Sequence, residues 1–458
     1  MARYVRRIKL FSVTSLYLLL GLGQTLLAAQ PESPNTPLTL HEAIKNGLAN
    51  NPRITAAHSQ VNASEARVSQ ARSGFFPHVD ISESFNRTNN PMWAFGTKLN
   101  QEVISQADFD PAELNDPEAI DNFSTVLSAT LPLYDRGQIR SGFTQARLGH
   151  KAVSRLQDRI RQEVIVDVVV SYMGVLLARE QLKVFHDTLK TARAHYNMVH
   201  SRFQSGLVVK SDLLRAEVRI AELEQDRLQA QSRVEVARAA LNAAMGVEID
   251  RSFRLVTSLE RRAEAPGPLE AWISRSIENR PDLKQMRFQE MMAEEELKKA
   301  KAAHLPGLYL SGSYEINSED FSETANNYTV GAIIRFNLFS GFGLQSKVNE
   351  AMANLSQTQA MARQLELGIR VETRQGFFMA QSAYQRIEVA QAAVAQAEEG
   401  LRIVRNRYES GLFTIVNLLD AEVALQQART NYFRSLHDFE VAMAQLNLAA
   451  GIIDKDFG

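Results

Sequence analysis

The side chains able to do covalent or metal chemistry are few and badly spaced for it. Nine histidines are scattered, with no His-Glu-x-x-His pair to seat zinc. There is no cysteine, which removes thiolate nucleophiles, Cys–metal sites and disulfides together. Neither a Gly-x-Ser-x-Gly elbow nor a Gly-x-x-x-x-Gly-Lys phosphate loop occurs. Glu294, Glu295 and Glu296, followed by Lys298 and Lys299, read as a solvated helix face with pairs one turn apart. The expectation is a protein that is not an enzyme and needs no cofactor or metal. The other notable charges stand in alternating or repeated contexts, so the elements that carry them must be read first.

The chain has 458 residues, 51 Lys+Arg and 52 Asp+Glu. That balance leaves no basic footprint, so no nucleic-acid partner is expected. Scarce proline (13 residues) points to long helices. Residues 1–29 read as a cleaved secretory leader. Arg3, Arg6, Arg7 and Lys9 precede an apolar run from Leu10 to Leu27, and Ala28-Ala29 supplies small residues for cleavage. Removing its four positive charges carries the formal charge from −1 to −5. No cysteine follows the run, so no lipoprotein anchor is expected. The apolar stretch Val164–Ala178 is too short for a full membrane span and carries Asp167; it reads as buried coiled coil.

The mature chain is written twice. Residues 199–246 align without gaps on residues 404–451 at an offset of 205. Arg202, Ser205, Gly206, Leu207, Leu213, Ala216 and Glu217 recur as Arg407, Ser410, Gly411, Leu412, Leu418, Ala421 and Glu422. The predicted units are a first repeat over 30–246, a linker over 247–267 and a second repeat over 268–458. Each repeat opens on a helix. In the first, Thr39 and Glu42 form a capping box. Asn51-Pro52 and Arg280-Pro281 then start a second helix, and Phe76-Pro77 and Leu305-Pro306 end it.

There the apolar period changes from 3.6 to 2. Alternation predicts strands over about 76–87, 123–134, 305–317 and 327–340, each long enough to cross a bilayer when tilted. A half-buried sheet in a soluble domain would alternate the same way. Export and the long polar segment over about 88–122 favour lipid. By that alternation Asp80, Glu83, Glu315 and Arg335 are expected to face a water-filled bore. Helical hairpins are predicted over 142–246 and 345–451, with tips at Gly206 and Gly411. About 60 residues of unbroken helix make a rod ~90 Å long, which must lie in a coiled coil or helical barrel.

Four strands cannot close a barrel. In hydrocarbon, an open sheet would leave two edges of unsatisfied amides, each group costing several kcal/mol. Copies must therefore join. Dimers would supply eight strands and trimers twelve; a wet bore favours the trimer, because eight strands leave an interior largely filled by side chains.

The duplicated layout, the opening Leu38-Thr39-Leu40…Ala43…Asn50-Asn51-Pro52, the Arg-aromatic-x-Ser-Gly-Leu tips and Asn417-Leu418-Leu419-Asp420-Ala421 resemble the TolC-type outer-membrane efflux channels across the mature chain. The resemblance implies a homotrimer in the outer membrane of a Gram-negative cell. Its twelve-stranded transmembrane β-barrel would continue into a twelve-helix periplasmic α-barrel. It also implies a passive exit duct that docks a periplasmic adaptor and an inner-membrane transporter. On it the tips Gly206, Leu207, Val208, Gly411, Leu412 and Phe413 would meet the adaptor, although both glycines also serve as helix caps. Family members close the tunnel with acidic residues near the start of the last helix. Here those positions are Asn417 and Asp420, with Asp212 and Arg215 at the same places in the first repeat. This chain departs from a two-aspartate gate because Asn417 is neutral. Both aspartates also suit helix N-termini as dipole partners, which leaves gate and cap equally open. The competing reading is a periplasmic coiled-coil scaffold with no conducting pore.

Overall fold

The computed structural model describes residues 36–260 and 264–456. The expected leader, residues 1–29, lies outside the described residues. Strand β1 (Thr36–Leu38) leads into helices α1 (Leu40–Asn50) and α2 (Pro52–Ser73), then strand β2 (His78–Thr88). Two short helices, α3 (Pro91–Asn100) and α4 (Pro111–Asn115), precede strand β3 (Ile120–Tyr134). The hairpin α5 (Gln138–Gln204) and α6 (Lys210–Met245) ends the first repeat. After strand β4 (Phe253–Leu255), the second repeat runs α7 (Leu269–Asn279), α8 (Pro281–Ala302), β5 (Gly307–Ser318), β6 (Ala325–Arg335), α9 (Gly343–Glu409) and α10 (Ile415–Ala449).

The repeats share their local chemistry. Helices α5 and α9 each have 67 residues, about 100 Å of rod at 1.5 Å per residue. Thr39 accepts from the Glu42 amide at 3.2 Å while Glu42 accepts from the Thr39 amide at 2.8 Å, so two orphan amides of α1 are satisfied reciprocally. The return helices end alike at left-handed glycines, Gly246 (φ +69°) and Gly451 (φ +68°). A Cβ on Gly246 would lie 2.5 Å from the Asn50 carbonyl oxygen, and one on Gly451 would lie 2.8 Å from the Arg280 backbone. At both elbows the residue before proline reaches the same place. Asn51 Nδ2 donates to the Ala244 carbonyl at 2.8 Å, and Arg280 Nη1 to the Ala449 carbonyl at 3.4 Å. Arg280 is buried, which disfavours its charge, but Asp282 and Glu372, both at 2.6 Å, reverse that and hold its pKa above the ordinary value.

The main core is a belt around the middle of the rods. Tyr172, Val168 and Val175 of α5 pack with Ala380 and Ile387 of α9 and Leu436 and Phe439 of α10. The Tyr172 hydroxyl donates to the Leu38 carbonyl at 2.9 Å and lies 2.9 Å from Thr257 Oγ1. Strand β4 of the linker pairs in parallel with β1 across this belt. Among the described residues no helix is long and apolar enough to cross a membrane. The other four strands form one antiparallel sheet in the order β2-β3-β5-β6, leaving one side of β2 and one side of β6 unpaired among the described residues. Strand β6 ends at Arg335, short of the predicted 340, and β3 runs 15 residues with a register shift between Pro132 and Tyr134.

Candidate functional site: two sheet faces and paired hairpin tips

Residues two apart on a strand share a face, and partners across a ladder share it too. The register therefore sorts every strand residue. Asp80 pairs with Ser128, which pairs with Ser313, which pairs with Thr329. Glu315 and Arg335 fall on this same polar face. Ser124 Oγ donates to Glu315 Oε1 at 2.9 Å, and the Arg335 guanidinium stacks over Tyr309 at 5.7 Å. Asp80 and Arg335 stand on the half of the sheet nearer the helices, and Glu315 on the outer half. Glu83 is a correction: it lies an odd number of residues from Asp80, so the pleat turns it to the opposite face, beside Val79, Ile81 and Phe85. There it accepts a hydrogen bond from the Thr125 hydroxyl across the ladder.

That opposite face is apolar and uncovered. Ile81, Tyr328 and Ile334 are 74%, 76% and 73% exposed. Aromatic rings border it at both ends. Phe85, Phe123 and Phe321 stack at the outer end, with centroids 4.8 and 4.2 Å apart, and Phe339 meets Phe342 at 5.7 Å at the helix end. An apolar band between two aromatic girdles is what a lipid-facing sheet requires.

The outer end of the polar face is covered instead. Ile120, Ser124, Asn317 and Ala325 all lie on it and are all buried. The cover is the segment carrying α3. Gln101, at the end of α3, donates to the Asp121 carbonyl and to Asn122 Oδ1, and Asn122 donates to Asn317 Oδ1. Asp108 ties this segment together. It pairs with Lys98 at 2.7 Å and accepts from the Ser105 amide and hydroxyl. The Lys98 hydrogen bond first, then those from Ser105, lower its pKa to about 2.

At the far end of the molecule the two tips repeat one another. Gly206 (φ +73°) and Gly411 (φ +76°) each take the left-handed conformation after a long helix. The Gly206 amide donates to the Phe203 carbonyl at 3.0 Å and Leu207 to Arg202 at 2.9 Å; Gly411 and Leu412 do the same to Tyr408 and Arg407. These are paired Schellman caps. They leave Leu207 and Leu412 74% and 72% exposed, while Val208 and Phe413 lean on a small core of Val199, Leu213, Tyr408, Ile415 and Leu418.

Among the described residues no hydrogen bond or ion pair joins the predicted mouth residues to one another. Asn417 is the N3 partner of a capping box: its Oδ1 accepts from the Thr414 amide at 3.1 Å and hydroxyl at 2.8 Å. Asp420 and Arg215 are exposed and Asp212 is half-buried. Other residues tie the tips together. Arg202 donates to the Tyr408 and Glu409 carbonyls and stacks over the Tyr408 ring at 5.1 Å. Burial raises the Tyr408 pKa, Arg202 opposing and Asp212 reinforcing the shift. Further along the rods, His195 Nδ1 of α5 pairs with Glu422 Oε1 of α10, both buried, and Glu422 Oε2 has no partner among the described residues. Arg219 of α6 donates to Gln426 of α10 at 2.6 Å. Sequence reasoning passed over His195, Glu422 and Arg202. One signal was available: at an offset of 205, Glu217 and Glu422 match but His195 meets Gly400.

The profile of the outer membrane efflux protein family matches residues 43–247 and 272–452, which is most of the chain and skips the linker. The alkaline protease secretion protein AprF of Pseudomonas aeruginosa is 24% identical over 417 residues, covering 89% of this chain and 83% of the relative. The outer membrane protein TolC of Vibrio cholerae is 22% identical over 427 residues, covering 91% of each. The crystal structure of the Campylobacter jejuni CmeC outer membrane channel superposes with a TM-score of 0.77 at 17% identity, over 90% of this chain and 86% of that one. That of VceC from Vibrio cholerae gives 0.73 at 19%, over 90% and 96%. The duplicated hairpins, the two-faced sheet and the matched profile lead to one conclusion: the chain belongs to the outer membrane efflux protein family.

Proposed function

We propose that three copies of this chain form a passive exit duct across the outer membrane of a Gram-negative cell. Each copy contributes four strands to one closed barrel and one pair of hairpins to a periplasmic tunnel. The observation that carries this reading is a sheet with one apolar and one polar face and two unpaired edges. In lipid those edges must be paired, and pairing β6 of one copy with β2 of the next satisfies them without a new element. The apolar face then meets acyl chains, and Asp80, Glu315 and Arg335 line the bore.

The exposed tip residues Leu207 and Leu412, with Val208 and Phe413 beside them, dock a periplasmic adaptor, and an inner-membrane transporter supplies the energy. Gly206 and Gly411 shape that surface. Asp420 of three copies, with Asp212 and Arg215, rings the periplasmic mouth. Asn417 caps its helix there and adds no charge to the ring. The repeats divide at the linker, the leader is removed, and no lipid anchor or catalytic step is involved. The relatives include proteins named for protease secretion and for pyoverdine export, so the cargo class spans polypeptides and small molecules. A pore-free scaffold has no use for bilayer-length strands with an uncovered apolar face.

The test is reconstitution of the mature chain in planar bilayers. Discrete conductance steps from a heat-modifiable oligomer are expected, and Asp420→Ala with Arg215→Ala should enlarge them. A monomer without lipid affinity would overturn the duct; unchanged steps in the double variant would remove the gate.

A further inference from the structure

The two long helices begin at matched joints. At the offset of 205, Tyr134-Asp135-Arg136-Gly137 falls on Phe339-Ser340-Gly341-Phe342, and Arg136 (φ +69°) and Gly341 (φ +60°) take the same left-handed conformation. A side chain held in that conformation is strained and persists where its surroundings fix it. The Arg136 guanidinium donates to the Ala303 and Arg335 carbonyls, both at 3.1 Å. Gly307 makes room for it: an added Cβ there would lie 3.2 Å from Arg136 Nε and 3.0 Å from the Tyr309 ring. Gly307 and Tyr309 stand on the polar face of the sheet, so Arg136 reaches the bore side where the sheet meets the helices.

A groove of about 510 Å³ opens beside it, between the starts of α5 and α9 and the end of α8. Arg136, Lys299 and Lys347 line it, with Glu296 and Glu350. Glu296 is already engaged, by Lys299 at 3.3 Å and by Gln145 at 2.8 Å. Lys347 is exposed and makes no hydrogen bond or ion pair among the described residues. Arg335, stacked on Tyr309, lines the adjoining hollow together with Arg136. Asp135 caps α5, whereas α9 opens beside Lys347 without a carboxylate cap, so its first-turn amides add positive potential. The duplication does not account for these cations: Arg136 stands against Gly341, and Lys347 against Gly142. The outer end of the sheet has the opposite sign. Segment 89–119 carries six carboxylates against Lys98, and the turn over 319–324 adds three with no cation.

We propose that this groove is an anion site on the bore wall, which takes the carboxylate or phosphate groups of cargo passing from tunnel to barrel. Arg136 supplies a fixed charge, and Lys347 supplies mobile charge-assisted donors. A cleft lined mainly by one sign of charge concentrates its counter-ions. The acidic outer end then opposes return of the same groups from outside. Pairing β6 with β2 of the next copy sets α9 beside that copy's α2 and α5. There Gly341 and Gly142 replace Arg136 and Lys347, and Gln70, matched at the offset of 229 that aligns Pro52 with Pro281, replaces Lys299. Grooves between copies therefore lack the cations, and the stoichiometry is one site per chain. The inference rests on the duct proposed above and adds a cargo class.

Tripolyphosphate is the probe. Titration calorimetry of the detergent-solubilised oligomer is expected to show saturable binding of one anion per chain. Lys347→Gln should weaken it about tenfold or more, the factor expected for a lost bond to a charged group, and Lys347→Arg should keep it. Lys347 is exposed, so Lys347→Gln should still assemble and conduct, with its reversal potential moved toward cations. Lys298→Gln is the control: Lys298 pairs with Glu295 outside the groove, and its loss should leave binding as in wild type. A conducting oligomer that binds no tripolyphosphate, binds it equally in Lys347→Gln, or loses it equally in Lys298→Gln overturns the anion site and leaves the duct standing. Two anions per chain would overturn the assignment to the groove inside each copy. Failure of the unmodified chain to conduct overturns both site and duct.

Discussion

Removing the His195 imidazole isolates a carboxylate inside the helix bundle. The Glu422 side chain is 2% exposed and that of His195 9%, and Glu422 Oε2 already has no partner among the described residues. The site is largely withdrawn from solvent, so water replaces the lost contact poorly. Breaking a buried pair by deleting one member costs about 3–5 kcal/mol, because the survivor keeps its desolvation penalty without its partner. At about 1.4 kcal/mol per factor of ten, amide exchange across this part of α5 and α10 should accelerate by roughly two to nearly four powers of ten in His195→Ala. Replacing both groups, as in His195→Leu with Glu422→Met, removes the penalty along with the pair and should return exchange to within about tenfold of wild type. Hydrogen exchange by mass spectrometry on peptides over 190–205 and 415–430 reads both effects, with the belt around Tyr172 as internal reference. Equal slowing or speeding in the single and double variants would refute the argument, since it would mean the two groups are not coupled.

Other outcomes follow from the same geometry. Asp108 has a lowered pKa, so its hold on the outer segment is fully present above the ordinary aspartate range and is lost as pH falls toward about 2. Limited proteolysis of that segment should therefore be unchanged at pH 5 and faster near pH 2, and Asp108→Asn should show the fast rate throughout. Gly206→Ala meets open space and should cost only the left-handed penalty of about 1–2 kcal/mol, whereas Gly246→Ala also drives a Cβ into the Asn50 carbonyl and should abolish assembly, as thermal unfolding will show. Ile81→Arg on the apolar face should lose about 2–4 kcal/mol of membrane stability, while Asp80→Arg, one residue away, should fold and shift ion selectivity toward anions in reversal-potential measurements.

Much of this could be read in advance because it is local or periodic. The tip glycines, the Thr39–Glu42 box and the Pro-initiated helices each follow from a few neighbouring residues. The same kind of signal was also passed over. Asn90-Pro91 and Asp110-Pro111 are caps followed by proline, and they start α3 and α4 inside what alternation leaves as a polar loop. Counting by twos along β2 already puts Glu83 with Ile81 rather than Asp80.

The duplication, the helix lengths and the strand faces were legible in the chain alone, since periodicity and steric preference act over a few residues at a time. Long-range packing set the rest: α3 folds onto the polar face, β4 returns to pair with β1, and His195 finds Glu422 across 227 residues. Those contacts depend on how rods about 100 Å long lie side by side. A rotation of one helix by a single residue position would bring a different side chain to Glu422, and no local pattern records which rotation the packed belt selects.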